Sequence, residues 1–182
     1  MNTPAHMALS LAVLGRERRR GAWAVILAGG LLPDLFLFLE HFTGRGPLTA
    51  QLVIVFNSAV LYAALAALGL ALRLWWLPLL ALSALLHIAL DLPLHATDAR
   101  AHFWPLTDWT FASPFSFWDT GHHGALIGTL EGVLFALCLV IVWRRCETWA
   151  QRALAALGGL VYAAAFVHFA GHAFAGQHWA IW

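Results

Sequence analysis

Lysine is absent from this chain, and its ten basic residues are all arginine, not clustered as nucleic-acid binding requires, with a net charge of +1 at pH 7. Nucleic-acid binding needs a basic face or stripe, so that class is set aside. Cysteine is nearly absent too. Cys138 lies inside an apolar run and Cys146 in a basic turn, which excludes a disulfide framework and a cysteine-type zinc site. Charge of either sign is scarce, at 10% of residues where soluble domains carry roughly a quarter. Too little charge remains to cover a water-facing surface. There is no Pro/Ser-rich linker, charged tail or internal repeat, so residues 1–182 read as a single integral membrane domain.

What is present is apolar: 62% hydrophobic residues and a mean hydropathy of +0.76, with ten His and ten Trp standing out. A spanning helix needs about 20 mainly apolar residues. Five runs meet that length: Gly21 to Leu39, Leu48 to Leu72, Trp75 to about Leu94, Gly124 to Trp143, and Ala153 to Ala175. Pro4 to Gly15 is too short and reads as a half-helix or a re-entrant segment. Its positive charges follow the apolar stretch, the reverse of a signal peptide. The expected fold is therefore all-α, a polytopic helical membrane protein with about five spans and a short N-terminal half-helix.

Short cytoplasmic loops collect positive charge. With five spans, the turns bearing Arg16, Arg18, Arg19 and Arg20, then Arg73, then Arg144, Arg145 and Arg152 all fall on one side. Only Arg45 and Arg100 fall on the other. The basic turns are placed in the cytoplasm of a cell inner (plasma) membrane, and the loop from His95 to His123 faces the periplasm or exterior. All ten histidines then lie toward that outer side, His41 and His178 among them, and Asp34, Asp91, Asp98, Asp108, Asp119 and Glu131 join them.

Ionisable residues within a span are costly and default to a functional role. Asp34 follows Pro33 in Gly29-Gly30-Leu31-Leu32-Pro33-Asp34, where a broken helix is expected; a plain packing kink is the bland alternative. His87 and Asp91 have the i, i+4 spacing that puts both side chains on one helix face, and nitrogen with carboxylate ligands suits Zn, Mn or Fe. His168 and His172 repeat that spacing with metal, haem and packing roles all open. Gly124, Gly128 and Gly132 form a close-packing helix face. The aromatics Phe103, Trp104, Trp109, Phe111, Phe115, Phe117 and Trp118 read as an interfacial belt.

Thr3-Pro4-x-His6, Leu32-Pro33-Asp34 and His87-x-x-x-Asp91, in that order, give the chain a resemblance to the bacterial membrane-bound metal-dependent hydrolases of the LexA-regulated type. His95-x-x-Asp98-x-Arg100-x-His102-Phe103-Trp104-Pro105 and Ser113-Pro114-Phe115-Ser116-Phe117-Trp118-Asp119-x-x-His122-His123 look like a subgroup of these proteins. The resemblance covers the chain to about His123. It implies a metal held by His6, Asp34, His87 and Asp91. Where the family often carries His-Arg-Gly-x-Thr-His-Ser before the second span, this chain reads His41-Phe42-Thr43-Gly44-Arg45-Gly46.

Residues and resemblance together lead to a membrane-embedded hydrolase with a divalent metal, zinc first and manganese or iron next, acting on a phosphoester or lipid-like substrate at the outer face. His6, Asp34, His87 and Asp91 are the expected ligands, helped by His102 or by His122 and His123. Asp98 or Glu131 is the expected general base, or the group that orients a ligating histidine. The rivals are a non-catalytic metal-binding or transport protein and a haem protein.

Overall fold

The computed structural model describes residues 1–176, whose regular structure is helical with no strand among them and whose longest irregular stretch is residues 95–119. Seven α-helices follow in order: α1 Thr3–Leu14, α2 Ala22–Thr43, α3 Pro47–Phe56, α4 Ala59–Ala71, α5 Trp76–Asp91, α6 Gly124–Arg145 and α7 Trp149–Ala170. A 3-10 turn, Leu92–Leu94, prolongs α5, and a π turn, Gly171–Ala175, prolongs α7. The all-α expectation holds. His178 lies outside the described residues.

Four helices are long and apolar enough to cross a membrane: α2, α5 with its 3-10 turn, α6, and α7 with its π turn. The pair α3 and α4 makes a fifth if it is counted as one span. Helix α1 has 12 residues, about 18 Å at 1.5 Å per residue, which is too short for a hydrocarbon core of about 30 Å. It nevertheless lies at the centre, packed against α2, α5, α6 and α7.

Two local expectations are corrected. The run Leu48 to Leu72 is not one straight helix but bends by 58° between α3 and α4. Asn57 and Ser58 cause this, because their short polar side chains compete for backbone partners. Asn57 Nδ2 donates to Val53 O at 2.9 Å and to Pro33 O at 2.8 Å. Ser58 caps α4 by accepting from Leu61 N, while its own hydroxyl donates to Trp104 O. The loop also enters the break through Ala59 N, which donates to His102 O at 2.8 Å.

The second correction concerns Pro33, where α2 continues unbroken. Proline withholds an N–H from the carbonyl four residues before it, that of Gly29, and two side chains from outside donate to neighbouring carbonyls of the same stretch. The His87 Nδ1–H donates to Gly30 O at 2.8 Å, and Asn57 supplies Pro33 O.

Helices α2 and α5 approach closely at Gly29. A Cβ there would meet the Leu80 carbonyl and stand 2.8 Å from Ser83 Cβ. Ser83 Oγ closes the same contact by donating to Ile26 O at 2.7 Å. This approach sets Asp34 of α2 opposite His87 of α5, one to two turns further along. The basic turns gather at the opposite end. Residues 15–23 and 144–147, with Gln151, line one cavity, and the Arg19 guanidinium lies 5.5 Å over the Trp75 ring.

Candidate metal centre

The centre is built where the start of α1, the second half of α2 and the end of α5 converge. His6 and His87 stack face to face, with ring centroids 3.6 Å apart and planes 8° from parallel. Asp91 straddles their edges: its Oδ1 is 2.8 Å from His6 Nε2 and its Oδ2 3.2 Å from His87 Nε2. Asp34 Oδ1 lies 3.5 Å from the same His87 nitrogen. Ligand atoms of His6, His87 and Asp91 all fall within 4.8 Å of one another, and all three residues are buried. Tetrahedral ligands at metal distances of 2.0–2.1 Å stand roughly 3.3 Å apart, so these spacings are near those of a site for one small divalent ion, which the stacked rings would meet by tilting toward it.

The hydrogen bonds fix the chemistry of His87. A carbonyl only accepts, so the contact to Gly30 O requires the ring proton on Nδ1. In the neutral ring, Nε2 is then a lone pair directed at two carboxylates, and it has no hydrogen-bond partner. Like-signed acceptors do not gather in a buried space without a cation or proton between them. A histidine that gives one N–H to a carbonyl and turns its other nitrogen toward carboxylates has the arrangement of a metal ligand when that nitrogen is unprotonated.

His95 repeats the pattern. Its Nδ1 contacts Asp98 Oδ2 at 2.6 Å, and its buried Nε2 faces Asp91 Oδ2 at 3.2 Å with no hydrogen-bond partner. Burial opposes charge on this ring, but Asp91 and Asp98 outweigh it and raise its pKa. Burial also works against the Asp98 carboxylate, and the His95 hydrogen bond overrides it to lower that pKa.

The first three residues supply donors to three carboxylates. The Met1 amine donates to Asp91 Oδ1 at 2.7 Å, and the Thr3 hydroxyl to Asp34 Oδ2. Asn2 donates to Glu131 Oε1 from its backbone at 3.0 Å and from its side chain at 2.9 Å, and Tyr162 OH joins at 3.2 Å. Arg100 completes the rim, 3.9 Å from Asp91 Oδ2 and 3.4 Å from Asn57 Oδ1.

The residues expected from the sequence therefore divide. His6, Asp34, His87 and Asp91 come together. Asp98 is tied to His95, and Glu131 holds Asn2 beside Tyr162. His102 is buried against the helix break, its Nδ1–H donating to Asn57 O at 2.9 Å, and burial lowers its pKa. His122 stands in an outer corner with its Nδ1 2.8 Å from Asp119 Oδ2. That hydrogen bond, with one from Gly121 N, lowers the Asp119 pKa. His123 is exposed at the start of α6, in the left-handed region, 5.6 Å from the Phe115 ring. His102, His122 and His123 are thus not among the ligand atoms brought together at the centre. His168 and His172 line a separate cavity of about 350 Å³ with Phe117 and Trp118.

His95 and Arg100 are the members of the centre that the sequence argument left out. The signal for His95 was present, since His87, Asp91 and His95 are spaced by four and share a face.

Fold and centre together define a class: an all-helical protein of apolar spans with a buried His/Asp group able to hold a metal ion. No family model, curated protein or solved structure matches the chain.

Proposed function

We propose that the chain is a membrane-embedded metal-dependent hydrolase acting on a phosphoester of a lipid or lipid-like molecule. One observation carries this reading. The Nε2 of His87, its ring oriented by the Gly30 carbonyl at Nδ1, is aimed, deep among apolar helices, at the carboxylates of Asp34 and Asp91. His6, His87 and Asp91 would hold the ion, with Asp34 and His95 beside it. Zinc suits this nitrogen and carboxylate set best, with manganese or iron next. A divalent ion bound there supplies a water acidified toward neutrality and an electrophile for the phosphoryl oxygen.

The chain's own groups do the rest. Asp34 is the less enclosed of the two carboxylates, its side chain 12% exposed against 2% for Asp91, so it is placed to take a proton from an entering water. Arg100, at the rim, offers a guanidinium fork to phosphoryl oxygens. Asp98 acts through His95, fixing which nitrogen of that ring is bare. Glu131 anchors the start of α1 and so keeps His6 on Asp91. The exposed Phe103, Trp109, Phe111, Phe115 and Trp118 suit a membrane surface from which a lipid substrate is drawn. The arginine-bearing end would face the cytoplasm of an inner membrane, with the centre toward the outer side.

The haem alternative loses ground at His87, because the Nε2 that an iron would take already faces Asp91 Oδ2 at 3.2 Å and Asp34 Oδ1 at 3.5 Å, which leaves no room for a macrocycle at that edge. The test is hydrolysis of a fluorogenic lipid phosphoester by detergent-purified protein, before and after chelation and after zinc reloading. Activity lost on chelation, restored by zinc and absent from His87→Ala supports the reading. Activity indifferent to chelation and to His87→Ala would overturn it.

A further inference from the structure

We propose that the arginine-lined end of the molecule binds an anionic phospholipid of the bilayer, its phosphate among Arg16, Arg18, Arg20 and Arg144 and an acyl chain in the crevice between α1, α6 and α7. This site is at the opposite end from the His/Asp centre and does not depend on it.

Two cavities meet there. The first, about 830 Å³, lies between the α1–α2 turn and the α6–α7 turn. Six arginines line it against two glutamates, Glu17 and Glu147, an excess of four positive charges. The second, about 240 Å³, is apolar, walled by Met7, Leu11, Phe135, Leu139 and Leu157 among others. Trp23 and Gln151 line both, so the basic basin runs into the apolar crevice.

The arginines are not equivalent. Arg145 serves the fold, donating to Leu11 O at 3.0 Å and to Ala12 O at 2.8 Å, near the end of α1. Arg19 pairs with Glu17 at 4.0 Å and covers the Trp75 ring. Arg16, Arg18, Arg20 and Arg144 are exposed and, among the described residues, have no carboxylate within ion-pair distance. Four guanidinium groups without a carboxylate thus surround a cavity whose far end is hydrocarbon-like. Inorganic phosphate would satisfy only the first part and a zwitterionic lipid mainly the second. An anionic phospholipid satisfies both. Basic pockets between helices at the membrane surface select anionic headgroups, each arginine contributing roughly a fivefold preference.

The crevice exists because α7 packs sparsely: of its 22 residues only Ala155 and Tyr162 are buried. Gly158 lines the crevice, and nothing lies within 4 Å of a Cβ placed there. A larger side chain at that position would fill the space that the acyl chain takes.

The test uses the full-length protein in a non-ionic detergent. Native mass spectrometry would follow titration with dioleoyl phosphatidylglycerol, dioleoyl phosphatidylcholine or glycerol phosphate. Phosphatidylglycerol is expected to bind at least about tenfold more tightly than phosphatidylcholine, and glycerol phosphate, which lacks the chains, not to saturate. Arg16→Gln/Arg144→Gln should remove on the order of tenfold of the phosphatidylglycerol affinity and leave phosphatidylcholine unchanged. Gly158→Leu should weaken both lipids. Equal binding of the two lipids by the unaltered protein would overturn the proposal. So would glycerol phosphate binding as tightly as phosphatidylglycerol, which would make the basin a free-phosphate site. Full lipid affinity in Gly158→Leu would remove the crevice from it. The comparison on the unaltered protein stands even if a variant fails to fold.

Discussion

Helices α5 and α7 are nearly alike in hydropathy, 1.9 and 1.8 over their most apolar windows, yet they sit in the molecule differently. Helix α5 buries seven residues, among them Ser83, His87 and Asp91, while α7 buries two. Apolar content does not separate them, because in a bilayer lipid tails are as good a neighbour for leucine as another helix. The small and polar side chains do. Gly29 lets α2 and α5 touch, Ser83 bonds across that contact, and His87 reaches Gly30 O beside it. Helix α7 offers fewer such groups to its neighbours: Tyr162 reaches Glu131, and the rings of Phe166 and Phe169 cover Gly132 and Gly128. The tight side carries the candidate chemistry, and the open side leaves a crevice to the bilayer.

The largest break of this contrast is expected from Asp91→Ala. The substitution removes the carboxylate shared by the Met1 amine, His6, His87 and His95. Removing one partner of a buried charged network costs about 3–5 kcal/mol, so denaturant unfolding should show a loss of that order together with loss of bound metal. An unchanged midpoint would mean that the polar centre does not hold α1 to α5.

Next in size is His95→Ala, whose ring touches Asp91 and Asp98. Metal affinity should fall about 10- to 100-fold if the ring supports the site, measured by competition with a zinc chelator. Unaltered affinity would remove His95 from the centre. Gly29→Ala then tests packing alone. Its methyl collides with Leu80 and Ser83, and overpacking of this kind costs about 1–3 kcal/mol. Gly158→Ala, on the open side, meets nothing within 4 Å. It should be neutral or stabilising by up to about 1 kcal/mol, as alanine is the better helix former. Equal costs at the two glycines in parallel thermal melts would erase the distinction between the helices.

The smallest effect concerns the corner of Asp119 and His122. A folded-state pKa below that of a free aspartate, about 3.9, means that the hydrogen bond helps hold this corner above that value. The contribution is lost as the pH falls through the lower folded value. An NMR titration of the Asp119 carboxyl should move upward in His122→Ala. The same curve with and without His122 would contradict the assignment.

Much of the fold was legible in the sequence because hydropathy alone marks spans, and α2, α5, α6 and α7 follow the apolar runs. The bend at Asn57 and Ser58 was hidden, since two small polar residues barely dent a long apolar run. Their partners, Pro33 O and Trp104 O, are remote in sequence. At the centre, His6, Asp34, His87 and Asp91 could be named from spacing and motif resemblance. The spacing of four from Asp91 marked His95, but His102, His122 and His123 could not be set aside without the loop's path. That path is set by contacts such as Ser113 N to His95 O at 2.9 Å and Ser113 Oγ to Pro93 O at 2.6 Å, which no periodicity announces.

The most direct test of the central claim is the metal content of detergent-purified protein by elemental mass spectrometry, with His87→Ala/Asp91→Ala alongside. About one zinc, manganese or iron per chain is expected in the unaltered protein, lost in the double variant. No metal in the unaltered protein after chelator-free purification and attempted reloading would contradict the claim, as would equal metal in both.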